Sequence, residues 1–425
     1  MDTYVDDFYV DDDTKAINDA IDAASKRSGK VIFSKRLYES KTIILKDNVE
    51  LYLPKGCILK LSKELLNDDS INVLKVPTYK DCSYNGRPTK YFIYAYDIKN
   101  VKITGKGIID GNDEIFFGNV SKYHIDGYFY PRIPLVYFEK VENFNLSDIN
   151  IRKSGFWTIH LVGCDNGLIE NIKIKNNRKL ANTDGIDPDH SKNIIIRNSY
   201  IEAADDCIVF KTTKDNQIYG DTSNIEVYNC VLKSTSAALK FGSESVGLMH
   251  DINIHDIEIK DSNRGIALMQ RDEGQIYNIE FKNINIETKR FHALEWWGKG
   301  EPISITNIKR GFATNLGNVY NITFDNINMN SENGIFIYGS NQNIKDLYFN
   351  NINIELKAKT MFKKNNHDLR PCYGDYLIEG LTNVIYINEA KNVRFKNFNY
   401  KINDNFKEYL GDIDFIQNVS ELLIE

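Results

Sequence analysis

The sequence predicts an all-β protein, a parallel β-helix solenoid with an N-terminal capping helix, and three observations predict it. The first is a tandem repeat. Copies read NFNLSDINI from Asn143, NGLIENIKI from Asn166, NIIIRNSYI from Asn193, NIEVYNCVL from Asn224, DINIHDIEI from Asp251, NIEFKNINI from Asn278, NITFDNINM from Asn321 and NVRFKNFNY from Asn392, with 22 to 31 residues between most neighbours. Periods of this size mark stacked repeats. The second is alternation of aliphatic and polar residues within each copy, dominated by Ile, Val, Phe and Tyr, which fits short half-buried strands and excludes helical repeats. The third is an Asn or Asp at a fixed place in each copy, where a tight bend needs a residue that tolerates left-handed backbone and bonds its own chain.

The elements follow in chain order. Asp12 and Asp13 precede TKAINDAIDAASKRSGK, in which Ala16, Ile17, Ala20, Ile21 and Ala24 share one helical face and Gly29 ends the run. A helix over about 12–28 would cover the bare first coil. Coils are expected over about 45–400, all within one domain spanning 1–425. Two segments break the pattern: Asn67 to Arg87, near Pro77, Tyr79, Tyr84 and Pro88, and Glu287 to Asn315, which carries Trp296-Trp297. Loops leaving a solenoid tend to wall its binding face, so the Trp pair is either a sugar-stacking platform or the loop's own small core.

Composition narrows the function. With 425 residues, 42% of them apolar, the chain can bury a long core. Net charge is −6 and the basic residues are scattered, which argues against a nucleic-acid partner. No apolar run approaches a membrane span, and MDTYVDDFYVDDDTK has neither a basic nor an apolar leader region, so the expected location is cytoplasmic. The oligomeric state is not legible. Cys57, Cys82, Cys164, Cys207, Cys230 and Cys372 lack metal-ligand spacing and read as buried thiols in a reducing compartment. His160, His250 and His255 pair with no second histidine at ligand spacing and read as satisfied histidines at the coil surface. No metal and no cofactor are expected.

The chemistry concentrates in Asn182-Thr183-Asp184-Gly185-Ile186-Asp187 and Asp205-Asp206-Cys207-Ile208. Asp184 and Asp205 are 21 residues apart, about one coil, so one rung of roughly 5 Å separates them on the same face. Carboxylates that close raise one another's pKa, leaving one protonated beside ionised partners, as acid and base catalysis of glycoside hydrolysis requires. The competing reading is that stacked acids merely cap turns, as Asp187 and Asp189 would before His190. The two motifs at one-coil spacing favour catalysis.

These motifs, with DDDTKAINDAIDAASKRSGKVIF, TIILKDNVELYL, SGFWTIHLVGCDNGLIENIKI and AADDCIVFKT, resemble glycoside hydrolase family 28, the polygalacturonase-like enzymes, in their bacterial form. The resemblance implies a right-handed parallel β-helix and hydrolysis with inversion at the anomeric carbon. It implies Asp205 as general acid, with Asp184 and Asp206 positioning and deprotonating the water, and Lys211 lining the cleft. An inverting site calls for about 6.5 to 9.5 Å between the Asp205 carboxyl and at least one partner.

Two departures stand beside the match. Where pectin-cleaving members have Gly-His-Gly, this chain has Ser236-Ala237-Ala238, and where they have Arg-Ile-Lys to bind the uronate it has Ala267-Leu268-Met269. Losing a bidentate clamp is costly for an anionic sugar, so plain polygalacturonate is disfavoured as substrate. Lys240, Arg264 and Arg271 could rebuild a cationic subsite. Glu244 is a candidate for a sugar hydroxyl or for tuning Asp205, and Trp296 and Trp297 complete the expected carbohydrate contacts. The expectation is an inverting glycoside hydrolase on a pectin-like or other polysaccharide or its oligosaccharides. The alternatives are a calcium-dependent lyase, with Lys240 or Arg271 as base, and a non-catalytic carbohydrate-binding β-helix. Long insertions could block one cleft end and favour attack at chain ends.

Overall fold

A computed structural model describes residues 2–68, 90–127, 132–292, 296–311 and 315–425. Most of the Asn67–Arg87 segment, with Cys82, lies outside the described residues. The chain divides into two compact units, Met1–Ala204 with Ile218–Gly220, and Asp205–Gln217 with Asp221–Glu425.

The repeat resolves into a pair of bends. The residues opening its eight copies, Asn143, Asn166, Asn193, Asn224, Asp251, Asn278, Asn321 and Asn392, all have φ between +49° and +57°. Five positions on in each copy, a second Asn or Asp from Asp148 to Asn397 does the same, with φ between +52° and +61°. Each copy is therefore two short strand segments joined by left-handed corners, a conformation that Asn and Asp tolerate best among residues with a side chain. Side chains then bridge the rungs: Asn166 donates to Asn143 at 2.6 Å in the first unit, and Asn321 to Asn278 at 2.6 Å in the second.

In the first unit, Ile93–Thr104, Val136–Ser147, Asp165–Glu170 and Lys192–Arg197 pair in parallel, one coil after the next. A second face stacks Ile108–Asp110, Asn150–Arg152, Lys173–Lys175 and Tyr200–Ala203. A third carries the Ile159–Val162 and Ile186–Asp189 strands, paired so that His160 faces Asp187. The second unit repeats the scheme with seven parallel strands from Thr222–Ser234 to Asp414–Ile424. Beside them run Ile208–Thr212, Ala237–Ser245, Arg264–Gln270, Ile303–Asn307 and Ile335–Tyr338. Inside, Phe281, Phe324, Phe349 and Phe395 stack face to face at 4.4 to 4.9 Å, so identical residues at one register fill the core of four coils.

A helix occupies Asp13–Ser25 and buries Ala16, Ile17, Ala20, Ile21 and Ala24. The Asp12 side chain caps it by accepting from the Thr14 amide at 2.7 Å. Strand pairing extends past both expected limits of the coils, since Asp2–Tyr4 pairs with Lys30–Ile32 and Asp414–Ile424 pairs with Ile385–Ile402. Those end segments lack the Asn-led alternation that marks the repeat. Cys57, Cys164, Cys207 and Cys230 are buried free thiols, whereas Cys372 is half-buried. Among the described residues no helix is long and apolar enough to cross a membrane.

Candidate active site

In the first unit, Asp184 sits in the turn entering the Ile186–Asp189 strand and is buried. Its carbonyl accepts from the Thr158 amide at 2.9 Å, and Asn176 donates to the Thr183 carbonyl at 3.1 Å. Asn182 takes a left-handed φ of +60°, and its side-chain oxygen accepts from the fully buried Arg132 at 2.6 Å. Arg132 also binds the carbonyls of Gly155 and Ala181, at 3.0 and 2.6 Å. A guanidinium 50 residues upstream thus fixes the motif that carries Asp184, and nothing in the local sequence announces it.

Asp187 and Asp189 are not turn caps. Both lie inside the strand and are fully buried, because the tightly packed third face continues through them. His160 is likewise no surface residue: it is fully buried, with Nε2 at 3.2 Å from the Asp189 carboxylate and its ring edge-on to Trp157. His250 and His255 do lie at the surface, each bonded to the following aspartate at 2.7 Å.

In the second unit, Asp205 and Asp206 occupy the turn entering Ile208–Thr212. Asp206 is buried, and both of its oxygens are held. Oδ1 accepts from the Ser236 hydroxyl at 3.1 Å and the Ala237 amide at 3.2 Å; Oδ2 accepts from the Lys240 ammonium at 2.6 Å. Three donors, one of them charged, fix the orientation of this carboxyl group. Asp205 is half-buried, and its backbone carbonyl accepts from Ser234 Oγ at 2.6 Å. Desolvation, and then the neighbouring Asp206 charge, push the Asp205 carboxyl above the ordinary aspartate range, against the pull of Lys240 and Lys211. A proton is therefore retained more readily on Asp205 than on an ordinary aspartate. Oxygens of the two groups approach within 4.8 Å, so this pair falls short of the separation expected for a water-bridged inverting pair.

Lys211 and Glu244 continue the charged chain. Lys211 Nζ stands 3.6 Å from Glu244, whose other oxygen lies 3.4 Å from Arg310. Burial alone would raise the Glu244 carboxyl, yet Lys211, Arg310 and Lys240 together hold it down at about 2. Arg310 was not foreseen, since it sits 66 residues beyond Glu244 in an insertion.

Arg264 and Arg271 do not join this group. Both are fully buried with donors on main-chain oxygens: Arg264 on Asp368 at 2.6 Å, Arg271 on Pro371 at 2.6 Å and Leu369 at 3.0 Å. Of the tryptophan pair, Trp296 is 4% exposed and Trp297 43%, so one belongs to the core and only the other offers a surface.

The departures from the motif are spatially coherent. Ala237, Ala267 and Met269, which the resemblance sets opposite a histidine and two cations, pack together as one buried apolar cluster. Residues 47–373 match the model of the glycosyl hydrolases family 28. The chain belongs to that family. It is 28% identical over 269 residues to a probable polygalacturonase of Vitis vinifera, a match covering 60% of this chain and 53% of that protein's length, little more than half. Its structure resembles a hyperthermoactive exopolygalacturonase from Thermotoga maritima, with a TM-score of 0.70 at 21% identity over 89% of this chain and 94% of that one. It also resembles a family 28 exopolygalacturonase from Yersinia enterocolitica, with a TM-score of 0.69 at 17% identity over 99% and 78%. The fold of this family 28 chain is accordingly the right-handed parallel β-helix.

Proposed function

We propose that this family 28 chain hydrolyses glycosidic bonds in a pectic polysaccharide or its oligosaccharides, with Asp205 as the proton donor. One observation carries the reading: Asp205 has a raised carboxyl while both oxygens of Asp206, beside it, are engaged by Lys240, Ser236 and the Ala237 amide. A general acid must keep its proton near neutral pH, and the burial of Asp205 works in that sense, while Asp206 is paired with the Lys240 ammonium. Asp184, one coil earlier in the sequence, takes its place with Asp206 on the water by analogy with the family motif. Family membership and the polygalacturonase names of relatives support a pectic substrate.

The apolar cluster of Ala237, Ala267 and Met269 supports a narrower reading, in which the sugar at the cleavage subsite is not a free galacturonate. No guanidinium or ammonium is available from those three positions to pair with a carboxylate. Lys211 and Lys240 are committed to Glu244 and Asp206. Release of reducing ends from homogalacturonan, methyl-esterified pectin, xylogalacturonan and rhamnogalacturonan tests both levels. Hydrolysis of a substituted or mixed backbone ahead of homogalacturonan is expected. Activity on none of them rejects the pectic reading, and fastest cleavage of plain homogalacturonan rejects the narrower one.

A further inference from the structure

Three buried arginines of the second unit converge on one segment, 364–371, most of which is itself buried. Arg264 binds the carbonyl of Asp368, Arg271 those of Leu369 and Pro371, and Arg290 the Lys364 carbonyl at 2.6 Å and the Asn366 side chain at 2.7 Å. None is more than 2% exposed. Burial lowers the Arg271 guanidinium to about 9 and that of Arg290 to about 10, which records how strongly both are desolvated. Removing guanidinium groups from water is unfavourable unless they are hydrogen-bonded, as these three are. Their common effect is to fix the segment 364–371 to the β-helix strands beneath it.

At the end of that segment, Arg370 with the neighbouring Trp297 and Tyr376 forms an aromatic and cationic patch. Asp368 is the hub. Its carboxylate accepts from the Arg370 side chain at 2.5 to 3.2 Å and from the Gly298 amide at 3.2 Å, with Lys299 Nζ at 3.4 Å. Arg370 is thereby held between two rings, 5.5 Å from the centre of Trp297 and 4.9 Å from that of Tyr376. The Trp297 carbonyl accepts from Asn263 at 3.1 Å, and Leu369 donates its amide to the Tyr376 carbonyl at 2.8 Å, so both rings have anchored backbones. Each aromatic residue is nevertheless 43% exposed. Large rings that are exposed yet rigidly backed are what sugar recognition uses, since apolar ring faces stack on them without loss of side-chain entropy.

The position suits a glycan chain that passes the acids. Asp206 accepts from the Ala237 amide, Ala237 is paired across one rung, about 4.8 Å, with Arg264, and Arg264 binds Asp368. We infer that Trp297, Arg370 and Tyr376 form a distal subsite that stacks a sugar residue of the oligosaccharide, away from the bond cleaved at Asp205. This rests on the proposed hydrolase reading.

Two measurements separate the inference from that reading. Calorimetric titration of Asp205→Asn with pectic oligosaccharides of increasing length reads binding without turnover, and steady-state kinetics of otherwise wild-type protein read cleavage. Trp297→Ala and Tyr376→Ala, placed in each background, should weaken binding of longer oligosaccharides and raise their KM roughly tenfold, with kcat and the shortest cleaved substrate unchanged. Trp297→Phe should restore most of the loss. If longer oligosaccharides are cleaved and bound as well by both Ala variants as by the parent, the subsite is wrong and the hydrolase reading stands. Equal losses on short and long substrates with a lowered Tm would also overturn it, because a structural role predicts that pattern. Length-dependent binding that the Ala variants lose, in a protein that cleaves nothing, keeps the subsite and rejects the hydrolase.

Discussion

Lys240 donates to Asp206 at 2.6 Å, while the neighbouring Asp205 is driven toward its protonated form by burial and by the Asp206 charge, against the pull of the same ammonium. Lys240 lies 34 residues beyond Asp206, on the strand that pairs with Ile208–Thr212, and reaches it because the coil turns back to the same register. Replacing it with Met should deprive both acids of their nearest cation. The pH–rate profile is then expected to move to higher pH by about 1 to 3 units on its alkaline limb, which the proton donor Asp205 sets. An unshifted profile in Lys240→Met would detach Lys240 from the chemistry.

Asp205→Asn removes the proton donor and should lower kcat by about 10²- to 10⁴-fold. Its effect on stability follows from the raised carboxyl. A carboxyl raised in the folded state costs stability once pH exceeds its unfolded value, so the ionised Asp205 is a strain at neutral pH and an uncharged amide is not. Tm of the variant at pH 7 should equal or exceed that of the parent, and the two should converge near pH 3. Thermal melts across that range check it.

Glu244 behaves in reverse. Its folded carboxyl is held at about 2 by Lys211, Arg310 and Lys240 despite burial, below the ordinary glutamate value, so its ionisation favours the fold. That contribution is complete above about pH 4.5 and is lost as pH falls toward 2. Glu244→Gln should therefore melt lower than the parent at pH 7 and match it near pH 2. A constant difference at both ends would mean that the loss is one of packing and not of charge.

Asn278 tests the corner that builds each coil. Its φ is +54°, and it both donates to Asp251 and accepts from Asn321. Asn278→Ala should cost about 1 to 2 kcal/mol from the left-handed backbone, plus the ladder bonds. Asn278→Gly should lose only the bonds. Denaturant titration that ranks Gly below Ala would contradict the corner as the source of the repeat.

Such corners explain why so much of the fold was legible. A short-range rule, Asn at a left-handed bend followed by alternating residues, recurs at every coil, so Asn143 to Asn392 declare the architecture by themselves. The adjacent pair of Asp205 and Asp206 was legible because both acids lie in one short motif entering a strand. What escaped detection depends on contacts that no period sets. Arg132 reaches Asn182 across 50 residues, and Arg264 reaches Asp368 across 104. In sequence, Arg264 and Arg271 are simply cations near the cleft motifs, and only burial shows that they grip a loop. Trp296 and Trp297 are adjacent and identical in type, and they diverge because the turn sends one ring inward.

The stereochemical outcome depends on which group attacks the anomeric carbon. Oxygens of Asp205 and Asp206 lie within 4.8 Å, a separation nearer to that of retaining pairs, about 5 to 5.5 Å, than to the wider inverting ones. Distance alone would thus nominate Asp206 as a nucleophile. Its bonding does not: Oδ1 is engaged by Ser236 and the Ala237 amide and Oδ2 by Lys240, and donors on both oxygens lower the nucleophilicity that a glycosyl-enzyme intermediate requires. An anion so held is suited instead to orienting a water and accepting its proton. Inversion is therefore expected, with no covalent intermediate. Proton NMR of the first-formed reducing end, recorded before mutarotation, should show the anomer opposite to that of the substrate bond, and a mechanism-based fluorosugar should fail to label the protein. A retained anomer, or label on the peptide containing Asp206, would assign Asp206 the attacking role and remove the water from the mechanism.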